Sequence, residues 1–348
     1  MLSKSGRNQS VLIWLVVISV LLCAMVLIGG ATRLTDSGLS ITVWHPITGV
    51  FPPLSDNAWF DEFILYQGVP EYEIVNKGMT IDEFKTIYLW EWFHRNFGRL
   101  IGILYAVPFI FFVTRGNVKG KLAMRLTGIL VLGGVQAWVG WYMVQSGLSE
   151  GIDVSQYRLA IHLGLAFTIL GVTLWTIFDL AFINQGIRDT PRRIKITAMA
   201  LFALIYLQVL SGALVAGLRA GLSYNTWPSM NGDMIPDGML VIAPWYFNFF
   251  ENALTVQFDH RLIAYTLVVV AIGHAVQTNR AAVANQIIRS ARWIVFLLCG
   301  QVFLGIATLV NSVPIWLGLI HQAMAIIVFI AACNHLHATW QHADDFCT

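Results

Sequence analysis

The fold class this sequence predicts is an all-α polytopic membrane protein, with eight transmembrane helices forming two four-helix bundles and a long first extracytoplasmic loop. Three observations predict it: the composition, the number of long apolar runs, and the alternating charge between them. Of 348 residues, 57% are hydrophobic and only 11% charged, whereas a soluble domain carries roughly 25% charged residues. So much apolar surface cannot be hidden in one soluble core. A soluble enzyme, a secreted disulfide scaffold and a disordered chain are excluded together. The net charge of +2 is too small to indicate a nucleic-acid partner. The 29 glycines and 13 tryptophans suit close-packed helices with aromatic interface anchors. The four cysteines form no CxxC and suggest no disulfide framework.

Apolar runs long enough for roughly 30 Å of hydrocarbon cover residues 11–32, 94–114, 123–146, 157–183, 195–219, 257–278, 291–312 and 315–337. The first follows Lys4 and Arg7 as a signal peptide would, but it has no Ala-x-Ala-like site and reads as a retained span. Thirteen of the 21 Lys and Arg residues fall in the N-terminal segment and in the loops after spans two, four and six. The other loops are acidic. The positive-inside rule then places both termini in the cytoplasm, or in the matrix if the membrane is mitochondrial; the chain is expected as a multi-pass protein of a bacterial inner membrane. The first outer loop, 34–90, is the longest polar segment and rich in Phe, Tyr and Trp. Its length suggests function, and its aromatic content suggests a cap.

The two halves, 1–183 and 184–348, resemble each other. Gly38-Leu39-Ser40 recurs as Gly221-Leu222-Ser223 and Trp44 as Trp227, both at an offset of 183. His94-Arg95 recurs as His260-Arg261 at 166, Gln136 as Gln301 at 165, and His162 as His321 at 159. Four spans followed by four keep one orientation, so a parallel repeat of two bundles is expected.

His94, His162, His260 and His321 each fall near the N-terminal end of an even-numbered span. Each half thus offers two imidazoles at similar depth on different helices, as bis-histidine ligation of haem iron inside a bundle requires. A lone intramembrane histidine is as readily a hydrogen-bonded core residue or a proton-path member. Four at matching depth favour iron. Zinc would need further ligands that neither half supplies. His274, His335, His337, His342 and His45 receive no role.

Glu91 and His94 lie three apart, on one helical face. Arg95 and Arg99 are placed to pair with Glu91 or to hold haem propionates, and Arg158, four before His162, likewise. At the repeat position of Glu91 stands Gln257, and at that of Arg99 stands Tyr265. One half therefore has a carboxylate beside its iron, and the other has plain ligation. That asymmetry suggests a catalytic half and an electron-transfer half. The simpler reading of Glu91 is an interfacial salt bridge to Arg95.

From about Leu22 to His337 the chain resembles the haem A synthases. The resemblance rests on Gly29 to Ser40, on Trp44 to Pro53, on Glu91 to Gly102 with its Glu-x-x-His-Arg pattern, and on the later in-helix histidines. The loop containing Glu71-Tyr72 and Asn76-Lys77-Gly78-Met79 resembles the alphaproteobacterial and mitochondrial branch. Many other bacterial members carry a cysteine pair in this loop, which this chain lacks, so no thiol role is carried over. The resemblance implies an oxidoreductase that converts the C8 methyl of haem O to a formyl group, by successive two-electron oxidations through an alcohol, giving haem A for terminal oxidases. It implies haem b as cofactor, ligated by His260 and His321 with Arg261 alongside. His94 and His162 would face or ligate the substrate haem O, with Glu91 at the reacting edge and Arg95 and Arg99 near it. It also implies work beside the enzyme that makes haem O and beside cytochrome oxidase assembly factors, within the lipid bilayer. The sequence leaves a homo-oligomer open.

The chemistry fits physically. A methyl C–H is unreactive, so iron or an external oxidant must do the redox work while the protein supplies orientation and charge. Glu91 has three available roles: accepting a proton, positioning water or stabilising charge. An apolar bundle suits a farnesyl tail, and Gly29-Gly30 and Gly133-Gly134 allow close helix approach or room for the macrocycle. Two rivals remain: a di-haem cytochrome b that only transfers electrons, and a haem-handling transporter or chaperone without catalysis.

Overall fold

The computed structural model describes residues 4–45, 48–149, 151–181 and 190–340. Pro46, Glu150, Arg188, His342, Cys347 and the boundary between the expected halves at 183/184 lie outside the described residues. Among those described there is no strand, only an isolated bridge between Met230 and Asp233. The chain is a multi-pass membrane protein. Eight of its described helices are long and apolar enough to cross a bilayer.

These eight are α1 (Lys4–Leu34), α4 (Ile81–Thr114), α5 (Gly120–Ser149), α6 (Gln156–Ala181), α7 (Arg192–Gly217), α9 (Ala253–Arg280), α10 (Asn285–Val310) and α11 (Ile315–Trp340). Three short helices lie between them: α2 (Asp56–Gln67), α3 (Pro70–Ile74) and α8 (Asn248–Glu251). Each expected span is present, and most are longer than expected.

The largest difference is in α4. It starts at Ile81 rather than near residue 94, so His94 sits almost four turns inside its helix. The physical reason is a capping box. Thr80 Oγ1 accepts from the Glu83 amide, while the Glu83 carboxylate accepts from the Thr80 amide at 2.8 Å. This satisfies two otherwise unpaired donors and starts a helix in polar sequence. The new turns then bury Phe84 and Tyr88 against Ile41, Phe63, Tyr66 and Val69. Trp59 meets Tyr88 edge-on at 5.1 Å, and Tyr66 stacks on Phe84 at 5.3 Å. The first polar segment is thus a helical cap with an aromatic core. Each buried aromatic ring there contributes on the order of 2 kcal/mol.

Within the cap, Glu71 is buried, and Tyr66 donates to its Oε2 at 3.0 Å. Asn76 donates to the Tyr66 oxygen at 2.6 Å. Burial, reinforced by the negative charges of Asp36, Glu91 and Asp153, raises the Glu71 carboxyl to about 7. Arg33 bridges Asp36 and Asp153 at 3.2 and 3.0 Å.

The chain forms two compact units, Val20–Ala166 and Met1–Ser19 with Phe167–Thr348. In the second, α7 packs on α9 and α11, and α10 packs on the same two helices. α9 and α11 therefore stand across a four-helix ring from each other. This places His260 and His321 on opposite walls of one interior. In the first unit α5 packs on α4, and Tyr105 of α4 donates to the Leu126 carbonyl of α5 at 2.8 Å.

Candidate haem-binding sites

Each of the four in-helix histidines lies against a glycine of the preceding long helix. A Cβ built on Gly29 would fall 2.9 Å from His94 Cε1, one on Gly140 2.9 Å from His162, one on Gly212 3.3 Å from His260, and one on Gly305 2.9 Å from His321. A real side chain would collide at Gly29, Gly140 and Gly305 and be tight at Gly212, so these glycines let the imidazoles seat close on helix backbone. Gly29 lies 183 before Gly212, and Gly140 lies 165 before Gly305, the same offsets that relate the halves in sequence. Gly133 and Gly134 behave differently. A Cβ on either meets nothing within 4 Å, so neither makes a close helix contact.

One turn before three of these glycines stands a glutamine. Gln136 Nε2 lies 3.2 and 3.3 Å from the ring nitrogens of His162 and donates to its carbonyl at 3.1 Å. Gln208 Nε2 lies 3.2 Å from both ring nitrogens of His260, and Ser211 Oγ 3.2 Å from its Nδ1. Gln301 Nε2 lies 3.3 Å from His321 Nε2. The fourth position, before Gly29, is Met25. The Oε1 atoms of all three glutamines, with His94 Nδ1 and His321 Nδ1, are buried without a hydrogen-bond partner. Orphaned polar atoms are rare in a finished interior. Five of the orphaned atoms among the described residues belong to these histidines and the glutamines beside them.

Glu91 is buried, and four donated hydrogen bonds occupy both its oxygens. Oε1 takes Arg95 Nε at 3.0 Å and Arg95 Nη2 at 2.6 Å, and Oε2 takes Ser40 Oγ and the Ile41 amide, each at 2.8 Å. The salt bridge to Arg95 is therefore present, and it is one part of a larger clasp. In the other half, Gln257 occupies the matching place: its Oε1 accepts from Arg261 Nη2 at 3.2 Å, but towards the backbone segment its polarity is reversed. Its Nε2 donates to the Ala220 carbonyl at 2.8 Å and the Tyr224 carbonyl at 3.2 Å. Arg95 donates to the Ile41 carbonyl at 3.0 Å, and Arg261 to the Tyr224 carbonyl at 3.1 Å. Both halves use this helix position to clasp the segment that follows the preceding helix. Only one does so with a carboxylate.

The other arginines are also committed to backbone. Arg99 donates to the carbonyls of Gly49 at 3.1 Å and His45 at 2.9 Å. Its counterpart Tyr265 accepts from Trp227 Nε1 at 2.9 Å. Arg158 donates to the Tyr142 carbonyl at 2.9 Å and lies 3.9 Å over that ring.

Residues 12–333 match the cytochrome oxidase assembly protein family. The chain belongs to that family. Among its relatives, a protein of Parvibaculum lavamentivorans named Heme A synthase is 48% identical over 95% of each chain. One of Rhodopseudomonas palustris with the same name is 49% identical over 97% of this chain and 92% of its own. A third, from Maricaulis maris, is 47% identical over 94% of this chain and 95% of its own. These family members are similar along nearly the whole length, so the resemblance covers both sets of histidines.

Several site residues escaped the sequence reading. The Gln-x-x-x-Gly pattern at 136–140, 208–212 and 301–305, with Met25 to Gly29 as its variant, was visible as a spacing of four. Gln136 and Gln301 read as repeat markers, whereas Gln208 has Met25 at its repeat position. Ser40 and Ile41 gave no local signal as Glu91 partners, because they lie about fifty residues away.

Proposed function

We propose that this family member is a haem A synthase, an oxidoreductase that converts the C8 methyl of haem O to a formyl group within the membrane. The observation that carries the reading is its near full-length likeness, at 47–49% identity, to proteins bearing that name. The geometry supports it with two histidine pairs on glycine seats, flanked by unsatisfied polar atoms, and a carboxylate at the clasping position in one half alone.

In this reading His260 and His321 hold haem b. The residues fit such a group. The seats at Gly212 and Gly305 fix both rings, and the unpartnered Gln208 Oε1, Gln301 Oε1 and His321 Nδ1 lie beside the place it would occupy. Bound there, haem b supplies one-electron redox chemistry. Gln208 and Ser211 orient His260, as outer partners orient metal-ligating imidazoles. His94 and His162 receive the substrate haem O. Met25 stands where Gln208 stands in the other half, so His94 is held by fewer polar contacts. That suits a site that must exchange its occupant.

Glu91 is the proposed catalytic residue. Arg95, Ser40 and the Ile41 amide all donate to it, so it works as an acceptor held in one orientation. A fixed carboxylate beside the reacting carbon stabilises positive charge or accepts a proton. Arg95, Arg99 and Arg261 hold the segments over the two sites, and their remaining N–H groups are proposed to meet haem propionates. The orientation with both termini in the cytoplasm, the bacterial inner membrane and work beside cytochrome oxidase assembly factors complete the reading.

The test is Glu91→Gln in membranes that make haem O. An amide keeps one oxygen as acceptor but turns its NH2 towards donors, Arg95 or Ser40 and the Ile41 amide, so b-type haem content is measured in parallel as the check on folding. Haem A formation should fall by about 10²–10⁴, the usual contribution of an acid–base group. Haem extraction and reversed-phase chromatography read the product. Unchanged haem A output would remove Glu91 from the chemistry. Absence of haem A even from the unsubstituted chain would favour a di-haem electron carrier.

A further inference from the structure

Helix α7 begins without a side-chain cap. Pro191 holds its N-cap position and makes no side-chain hydrogen bond there, and Arg192 and Arg193 follow. The Pro191 carbonyl accepts from the Ile194 amide at 2.9 Å and the Lys195 amide at 3.3 Å. The amides of Arg192 and Arg193 come earlier and have no carbonyl of their own helix within reach. They carry the positive end of the helix dipole. Thr190, just before, is a residue type that usually caps such an end. Its hydroxyl does not: Oγ1 is buried without a hydrogen-bond partner, in a residue only 5% exposed. A buried hydroxyl left this way loses its water without compensation.

Thr190 lines a cleft of about 650 Å³ with Arg192, Lys195, Ile196 and Met199 of α7 and Trp340 of α11. The pattern of α7 creates this face. Ile194, Ala198, Leu201 and Ile205 are buried at helical spacing and turn toward the bundle. Ile194 packs there against Val283 and Ile287. Positions 192, 195, 196 and 199 recur at i, i+3, i+4 and i+7 on an outward face. Trp340 forms the opposite wall, with its Nε1 donating to the Lys195 carbonyl at 3.4 Å. Asp179 of α6 lies 2.8 Å from His337 Nε2 and does not line the cleft.

The cleft changes character along the helix axis. Thr190, Arg192 and Lys195 stand at the helix start. Met199 is seven residues beyond Arg192, about 10 Å deeper at 1.5 Å per residue. Ile196, Met199 and Trp340 are exposed large apolar side chains. Positive charge and hydrogen-bond donors at the rim, with apolar surface beneath, match a phospholipid: phosphate at headgroup level and acyl chain below. A free phosphate would use the rim alone. Basic pockets between membrane helices are recurrent headgroup sites, and two cations favour a lipid whose phosphate has no ammonium of its own.

We propose that this cleft binds one anionic glycerophospholipid. Its phosphodiester accepts from Thr190 Oγ1, from Arg192 and Lys195, and from the first α7 amides, as anions do at helix N-termini. One acyl chain lies along Ile196, Met199 and Trp340. The site does not depend on the activity proposed above.

Native mass spectrometry of the full-length protein, released from nanodiscs of equal phosphatidylglycerol and phosphatidylcholine, tests this. The expected result is one phosphatidylglycerol held in preference to phosphatidylcholine. The double variant Arg192→Gln/Lys195→Gln should weaken that retention about thirtyfold, at about fivefold per charge. Thr190→Val keeps the shape and should weaken it about tenfold. Arg289→Gln removes a charge of α10 outside the cleft and should leave retention unchanged. Circular dichroism checks that each variant is folded. Equal retention of the two lipids by the unsubstituted protein would overturn the proposal. So would retention unmoved in the double variant, or an equal loss in Arg289→Gln, which would mark bulk attraction only. Displacement of the lipid by excess inorganic phosphate would also overturn it and assign the cleft to free phosphate.

Discussion

Single atoms separate the two kinds of glycine in this protein. At Gly305 an added methyl would fall 2.9 Å from His321 Cε1, whereas at Gly133 it meets nothing within 4 Å. Overpacking of the first kind costs about 1–3 kcal/mol, and here it acts on a ring proposed to hold iron. Gly305→Ala is therefore expected to lower bound haem several-fold, measured as haem per protein by pyridine haemochrome. Gly133→Ala should leave it unchanged. Gly212→Ala, with 3.3 Å available, should fall between them. Glu91 and Gln257 make a similar contrast. They clasp equivalent segments with opposite hydrogen-bond polarity: Ser40 and the Ile41 amide offer donors that call for an acceptor at 91, whereas the Ala220 and Tyr224 carbonyls call for the donor that Gln257 supplies.

At the scale of elements, the cap depends on α4 extending beyond its apolar run. The Thr80–Glu83 capping box starts the helix, and Phe84 and Tyr88 anchor α2 and α3 to it. Buried Glu71 makes this cap sensitive to pH. Its folded-state value of about 7 is above its ordinary 4.5, so the folded cap binds the proton more tightly than the unfolded chain does. The cap is then most stable below about 4.5 and loses stability as pH rises to about 7. The loss is on the order of 2 kcal/mol, allowing for residual solvent. Glu71→Gln should abolish it. Hydrogen exchange of residues 56–80 at pH 5 and pH 8 is the measurement. Equal protection at both pH values in the unsubstituted protein would show that Glu71 does not govern the cap.

Across the whole molecule, one local pattern, an imidazole lying on a glycine of the preceding long helix, occurs at four places with different equipment. Each half presents two imidazoles on glycine seats. One half adds Glu91, while the other adds Gln208 and Ser211 around His260. The expected consequence is a division of roles between the halves. His260→Ala should remove the resident b-type absorption, and His94→Ala should retain it while losing product. Optical spectra of the two purified variants decide this. Equal loss of absorption in both would show that the resident haem is not confined to the second half.

The amino-acid sequence by itself determined the membrane class, the eight spans, the four in-helix histidines and the Glu91/Gln257 asymmetry. These properties are local or periodic: apolar runs match bilayer thickness, and a duplicated pattern shows itself by constant offsets. The start of α4 was also written locally, in Thr80 and Glu83, but the polar composition around them suggested a loop. Only tertiary structure showed that Ser40 and Ile41 hold Glu91, that glycines seat the imidazoles, and that His274 meets His335 across the bundle. Each of those facts joins residues on different elements, from 16 to 65 positions apart, and a contact between them depends on distance in space rather than along the chain. His274 lies 14 residues after His260 and His335 14 after His321, so each pair shares a face by helical periodicity alone. That the nitrogens of His274 and His335 meet head-on was decided by how α7, α9, α10 and α11 pack.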